Sequence, residues 1–327
     1  MSTELAGRIL EMLRGQGGYL SGAKIGKALG ISRSAIWKYI NSLRRDGYEI
    51  EARAASGYRL VATPSHITCW ELQANLGTQV FGKKIHTFSQ VGSTNEVAFQ
   101  LALNGAEEGE VVVAEAQSRG KGRMGRSWES PPGFNIYLSL ILRPKIPPNR
   151  IPLITLMTAV ACAEAIEKAA ALVPAVKWPN DLLVRGKKLG GVLTEADMEL
   201  DVIKFVIVGI GINVNIPRNC FSPLIKEEAT SLKEELGREI PRVTLIQELL
   251  RHMEVWYKRF GEGRADEVRA RWEELSFVKG REVEVIFMGE VVRGKALGID
   301  EDGALLVQQG SGRVKRIVAG DVKIKGW

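Results

Sequence analysis

"EAQSRGKGRMGRSWESPPGFNIYLSLIL", residues 115–142, admits three readings, and the choice among them sets the fold of the central part of the chain. Gly120, Gly122 and Gly125 spell the G-x-G-x-x-G of a dinucleotide-binding turn, while residues 120–127 run G-x-x-x-x-G-R-S, one residue short of a phosphate loop. Both fingerprints need a helix directly after the glycines, because the phosphate rests on that helix's N-terminus. Pro131 and Pro132 bar a helix here, and an apolar β-rich run follows at 134–142. A dinucleotide site also needs an acidic residue about 20 positions on, behind a strand, and none stands there. Both nucleotide readings fail. What remains is a strand, a flexible loop carrying Arg119, Lys121, Arg123 and Arg126, and a second strand tied to a core by Trp128. At an effective dielectric near 20, unit charges about 4 Å apart interact by roughly 4 kcal/mol. Several cations on a closable loop could therefore hold together two anions that would otherwise repel.

The surroundings of that loop read as one domain, residues 64–275. Strands are expected in "EVVVAEAQ", "FNIYLSLIL", "DLLVRGKKLGGVLTEA" (a hairpin turning at Arg185-Gly186) and "KFVIVGIGINVNI", with helices at 94–104, 152–171, 244–260 and 265–275. Hairpins interleaved with helices predict an α+β fold, an α/β core with a mixed sheet, not a pure βαβ repeat. Residues 276–327 change to short alternating strands broken at Met288-Gly289, Asp302-Gly303 and Gly310-Ser311-Gly312, which predicts a small β-barrel.

Residues 1–63 form a separate unit. "ELAGRILEMLRGQGG" places Leu5, Ile9, Met12 and Leu13 at helical spacing; "SGAKIGKALG" is capped by Ser21 and stopped by Gly30. "SRSAIWKYINSLRRDG", capped at Ser32, puts Ile36, Ile40 and Leu43 on one stripe and Arg33, Ser34, Trp37, Lys38, Asn41, Arg44 and Arg45 on the other. "YEIEARAASGYRL" alternates like a hairpin. Two short helices joined by a glycine turn, then a hairpin, are the winged helix-turn-helix order. Ser32, Arg33, Ser34 and Lys38 at the start of the third helix would reach DNA bases, and Arg53 and Arg59 of the wing would grip phosphates.

Totals narrow the classes. A chain of 327 residues predicts two or three domains. The formal charge of +7 attracts polyanions without naming one. Cys69, Cys162 and Cys220 stand apart without a C-x-x-C, and His66, His86 and His252 are equally scattered, so neither a zinc site nor a disulfide framework is expected and a reducing cytoplasm fits. No signal pattern or membrane span is expected; the stretch 151–163 reads as a buried helix.

Further pieces bear on the cationic loop. "GSTNEVA" sets Ser93, Thr94 and Asn95 at a helix start, where Ser93-x-x-Glu96 is also a capping box. "VKWPNDLLV" gathers Lys177, Asn180 and Asp181 around a proline bend; "GKKLGGVL" offers Lys187 and Lys188 beside Gly190 and Gly191; "GIGINVN" ends a strand with Asn213 and Asn215. Together they supply cations, amides and one acid, without a nucleophile–histidine pair.

These motifs, with "AEAQSRGKGRMGRSW", resemble the bifunctional biotin–protein ligases that double as repressors of biotin synthesis genes, over essentially the whole chain. The resemblance implies a biotin/lipoate ligase-like core and an SH3-like C-terminal barrel. It implies two steps: biotin carboxylate attacks the α-phosphate of Mg2+-bound ATP to give biotinyl-5′-AMP, and a lysine of a biotin carboxyl carrier protein then displaces AMP. Carried over by motif, Ser93, Thr94, Asn95, Gln117, Lys121, Gly122, Arg123 and Lys188 would bind biotin. Arg123, Arg126, Trp128, Lys177, Asn180 and Asn213 would serve ATP, with the magnesium ion brought by the nucleotide and no protein-built metal site. Lys188, Arg123 and Asp181 would be catalytic, Asp181 orienting or deprotonating the incoming lysine. Lys121 departs from the family's usual arginine and loses the planar fork. The resemblance also implies operator DNA binding by a homodimer formed when the adenylate is bound, since ordering the loop lowers the cost of pairing surfaces that include it. Two rivals stay open: a regulator that senses biotin or a nucleotide without turnover, and a ligase for lipoate or octanoate.

Overall fold

The computed structural model describes residues 3–287 and 289–324; Met288, half of one expected strand break, lies outside them. The described chain divides into two compact units at Gly77/Thr78.

The first unit contains α1 (Thr3–Gln16), α2 (Gly22–Leu29), α3 (Arg33–Arg45), the hairpin β1 (Glu49–Arg53) and β2 (Gly57–Ala62), and α4 (Cys69–Gln73). Caps set its joints. Ser21 Oγ accepts from the Lys24 N–H (3.2 Å), Gly30 closes α2 in the left-handed region, and Ser32 Oγ accepts from the Ala35 N–H (3.2 Å). Each helix contributes one apolar stripe to a shared core: Ile9, Leu10 and Leu13 from α1, Ile25 from α2, Ile36, Ile40 and Leu43 from α3. The unit runs past its expected end at residue 63, to Gly77. Trp70 of α4 joins that core, its indole donates to Asp46, and the Tyr48 hydroxyl meets Thr68 (2.8 Å) and Glu71 (2.7 Å).

The second unit is built on a seven-stranded sheet. Its strands are β3 (Ile85–Phe88), β4 (Val111–Ala114), β5 (Ile136–Leu142), β6 (Ala175–Lys177), β7 (Asp181–Val184), β8 (Lys187–Glu199) and β9 (Val202–Ile212), in spatial order β3-β4-β5-β9-β8-β7-β6. Only β3 and β4 pair in parallel, joined by helix α5 (Thr94–Leu103); the other pairs are antiparallel, so the sheet is mixed as expected. Arg185 and Gly186 both take positive φ (49° and 80°), as a two-residue hairpin turn between β7 and β8 requires. Helices α6 (Ile151–Ala170), α7 (Leu232–Leu236), α8 (Arg242–Gly261) and α9 (Ala265–Leu275) complete this layer. The stretch 151–163 is indeed a buried helix, though α8 begins two residues before its expected start.

Strand period assigns the two faces of β9. Phe205 and Ile207 pack with Ala98 and Ala102 of α5. Continuing by twos on that face come Gly209 and Gly211, and opposite them in register Leu193 and Gly191 of β8. The alternate face carries Thr194, whose hydroxyl meets Thr155 of α6 at 2.8 Å. Helix α5 thus covers one half of the glycine-bearing face and leaves the other half open.

The chain ends in β10 (Glu282–Phe287), β11 (Glu290–Ile299), β12 (Leu305–Gln308), β13 (Val314–Ile317) and β14 (Asp321–Ile324), one antiparallel sheet in the order β13-β12-β11-β10-β14. Val283, Val285, Val292, Ala296, Leu305, Val307 and Val322 form its buried side.

Candidate functional site

The open half of the sheet face is a cleft of about 1030 Å³. Its floor is made by glycines. A Cβ at position 209 would stand 2.2 Å from Asn95 Oδ1, and one at 211 would stand 2.6 Å from the Trp128 ring, so only glycine lets those side chains lie on the strand. "VGIGIN" is therefore a spacing rule, one bare position for the amide and the next for the indole.

At one end of the floor sits a polar cluster. The Thr94 N–H donates to Gln117 Oε1 (2.8 Å), the Thr94 hydroxyl reaches the same oxygen (3.1 Å), and Gln117 Nε2 donates to Ser130 Oγ (2.9 Å). Ser139 Oγ lies 2.8 Å from Thr94 Oγ1 and 2.6 Å from Asn95 Oδ1, while Asn95 Nδ2 donates to Glu195 Oε2 (2.7 Å). Ser93, Thr94 and Asn95 are buried. The expected Ser93 capping box does not form: the Ser93 side chain makes no cap bond, and Gln117 separately satisfies the Thr94 N–H of the first turn. Glu96, released from capping, pairs with Lys121 (3.0 Å) and Arg119 (3.5 Å) of the glycine-rich loop.

That loop is a small hairpin. The Gly122 N–H donates to Arg126 O (2.7 Å), the Trp128 N–H donates to Gly120 O (2.8 Å), and Met124 turns the chain at φ 55°. Arg119 and Lys121 thus lean on α5, whereas Arg123 and Arg126 turn toward Asp321 of β14. Arg123 Nη1 also donates to Asn180 Oδ1 (3.3 Å) and Gly320 O (3.4 Å). Burial lowers the Arg123 pKa from its usual value, and the carboxylates of Asp321 and Asp181 oppose that shift.

Across the floor, Lys188 Nζ stands 2.6 Å from Asp181 Oδ1 and 5.5 Å from the centre of the Trp128 ring. The Trp128 indole N–H is buried with no hydrogen-bond partner, so packing alone positions the ring. Asn180 is clamped to β8 through Val192 O (2.8 Å), and Asn213 Nδ2 donates to Thr230 O (3.1 Å). Lys177, Lys187 and Gly122 also line the cleft. Asn215 instead exchanges two bonds with the Ile240 backbone and is structural.

The cleft therefore gathers every residue singled out for biotin, ATP or catalysis. It adds Asp321, and behind the lining stand Glu195 and Ser139, bonded to Asn95, and Ser130, bonded to Gln117, all of which sequence reasoning passed over. A lone serine inside "IYLSLIL" was the one visible signal. Among the described residues no cluster of three His, Cys, Asp or Glu could hold a metal ion. Oxygen donors for a hard cation on the cleft wall include the Asp181 carboxylate and the Asn180 and Asn213 amides.

On the first unit, α3 exposes Arg33, Ser34, Trp37 and Lys38. Two assigned DNA contacts have other work: Ser32 caps α3 and touches Ser34 Oγ at 2.9 Å, and Arg59 is paired with Glu51 (2.7 Å) over the Tyr19 ring. Arg53 ends β1 exposed.

Three family models match this chain: the Biotin/lipoate A/B protein ligase family over residues 87–213, an HTH domain over 7–59, and the Biotin protein ligase C terminal domain over 279–324. The chain is 41% identical over 306 residues to the bifunctional ligase/repressor BirA of Bacillus subtilis, covering 94% of each. It is 31% identical over 313 residues to the BirA of Escherichia coli, covering 96% of this chain and 95% of that one. Among solved structures, the biotin protein ligase from Aquifex aeolicus in complex with biotin and ATP superposes with a TM-score of 0.65 at 31% identity, over 74% of this chain and 99% of that one.

Proposed function

The chain belongs to the family of bifunctional biotin–protein ligase/repressors, and from that premise we propose how its own residues divide the work. It is a biotin–protein ligase with a DNA-binding repressor unit. The observation that carries the ligase mechanism is the convergence of Lys188 and Trp128, beside the floor glycines, and Arg123 of the loop on one cleft.

Biotin's ureido ring would enter the Thr94–Asn95–Gln117–Ser139 cluster, whose donors and acceptors already fix one another and so cost little to order. Its carboxylate would lie by Lys188, with Trp128 carrying the adenine and Lys121, Gly122 and Arg123 closing over both. Magnesium would arrive on the triphosphate and screen its charge. Lys188 and Arg123 would neutralise the two anions, letting a carboxylate oxygen bond to the α-phosphorus as the α–β bridging bond breaks and pyrophosphate leaves. In the second step a carrier lysine nitrogen attacks the biotinyl carbonyl and AMP departs with the bonding pair. Asp181, 2.6 Å from Lys188, holds that ammonium in the first step and accepts or orients the incoming lysine's proton in the second. Incubation with biotin, Mg-ATP and an apo biotin carboxyl carrier domain tests this: one biotin on one lysine is expected, and an unmodified carrier refutes it.

For repression, we propose that adenylate-bound protein dimerises and binds a two-part operator. Support comes from the apolar tip of the β8–β9 hairpin, where Met198, Leu200 and Val202 are exposed. Sedimentation with biotin and ATP should show a dimer; a monomer at micromolar protein contradicts it. A cytoplasmic location fits three free cysteines, and among the described residues no helix is long and apolar enough to cross a membrane.

A further inference from the structure

We infer that Trp37 reads the operator by packing its indole on the C5-methyl of a thymine in the major groove, an inference that rests on the DNA-binding reading of the first unit. Helix α3 spends its apolar stripe, Ile36, Tyr39, Ile40 and Leu43, entirely on the core. Trp37 is on the opposite side and 58% exposed, the largest apolar side chain so placed in this unit. An indole left in water on a stable helix forgoes a large burial that it would regain against a partner.

Its neighbours state what partner. One turn before stand Arg33 and Ser34; Lys38 follows, and Asn41 lies one turn on. The helix has four basic residues and no acidic one, so the partner is an anion. Much of the remaining polar equipment is already committed. Arg44 donates to Ile50 O (2.9 and 2.6 Å) and to Asn41 Oδ1 (3.4 Å), and Ser34 is tied to the Ser32 cap. That leaves Arg33, Lys38 and Arg45 for charge and Trp37 for shape. Duplex DNA offers an apolar feature among its polar groove edges, the thymine methyl, at the depth a recognition helix reaches. An anionic membrane would suit a helix with a free apolar stripe, and α3 has one aromatic there, not a stripe.

The test uses the full chain with biotin and Mg-ATP. Duplexes are selected from a random pool, then each thymine of the selected site is replaced singly by deoxyuridine, which removes only the methyl. Loss of about 3–10-fold in affinity is expected at one symmetric position, the size of an apolar base-edge contact. Trp37→Ala should bind that site about tenfold more weakly and be indifferent to the same replacement, with an unchanged salt slope, because no phosphate contact is lost. Trp37→Phe should retain part of the methyl dependence, and circular dichroism should show both variants folded. Biotin transfer should be untouched in both. Sequence-selective binding that tolerates uracil at every position overturns the role of Trp37 alone. Failure to select any duplex, or capture on anionic vesicles in its place, overturns the DNA reading with it.

Discussion

Lys188 Nζ and Asp181 Oδ1 stand 2.6 Å apart on neighbouring strands, with the Trp128 ring against the same lysine. The pair is partly open to the cleft, so its worth lies less in stability than in keeping an ammonium aimed at the floor. Lys188→Gln should keep the fold and lower adenylate formation by about a hundredfold, the size of one lost electrostatic contact to the transition state. Asp181→Asn should lower transfer to the carrier more than adenylate formation. Pyrophosphate release and carrier mass, measured separately, check both; equal losses in both steps for Asp181→Asn would reduce it to a tether.

The two floor glycines make a sharper pair. Gly209→Ala pushes on Asn95 and Gly211→Ala on Trp128. The first should raise the KM for biotin by about tenfold or more with ATP little changed, and the second should do the reverse, since small misplacements at a site cost one to two orders of magnitude. Initial rates over both substrates distinguish them.

Asp321 pairs with Arg123 (4.0 Å) and Arg126, the cations we propose for the nucleotide phosphates, and so would compete with them. Ion pairs open to solvent, as Arg126–Asp321 is on the arginine side, contribute about 0.2–1 kcal/mol, so Asp321→Asn should free the loop by about 1.4- to fivefold. Faster tryptic cutting at residues 119–126 in the ligand-free protein, and slower cutting once biotin and ATP are added, would show it. Unchanged cutting would mean that the loop's own hairpin holds it.

Glu110 gives a pH signature. Burial raises its pKa, but hydrogen bonds from His86, the Glu107 N–H and Lys84 outweigh that, and the carboxyl is held below its ordinary 4.5. The folded state therefore binds this proton less readily than the unfolded state. The stabilisation is complete above about pH 4.5 and is lost as pH falls through the lower folded value. Glu110→Gln should flatten this part of the acid decline in Tm; an unaltered profile would rule it out.

Much of this site was legible because its motifs state local necessities: glycines where side chains must lie on a strand, a two-residue turn at Arg185-Gly186, cations between strands. What escaped is non-local. Asp321 meets Arg126 across 195 positions, and Glu195 meets Asn95 across 100, so no window of sequence shows either. Strands β3 and β6 have four and three residues, too short for periodicity to register. Ser93-x-x-Glu96 misled for the same reason, since the Glu96 carboxylate is taken by Lys121 and Arg119 of a loop more than 20 positions away.

All of this chemistry requires that biotin's own carboxylate attack the α-phosphate within this cleft. Biotin labelled with 18O in its carboxylate, supplied with Mg-ATP and an apo carrier domain, tests it most directly. One 18O is expected in the AMP released on transfer; biotinylated carrier accompanied by unlabelled AMP would rule out that attack.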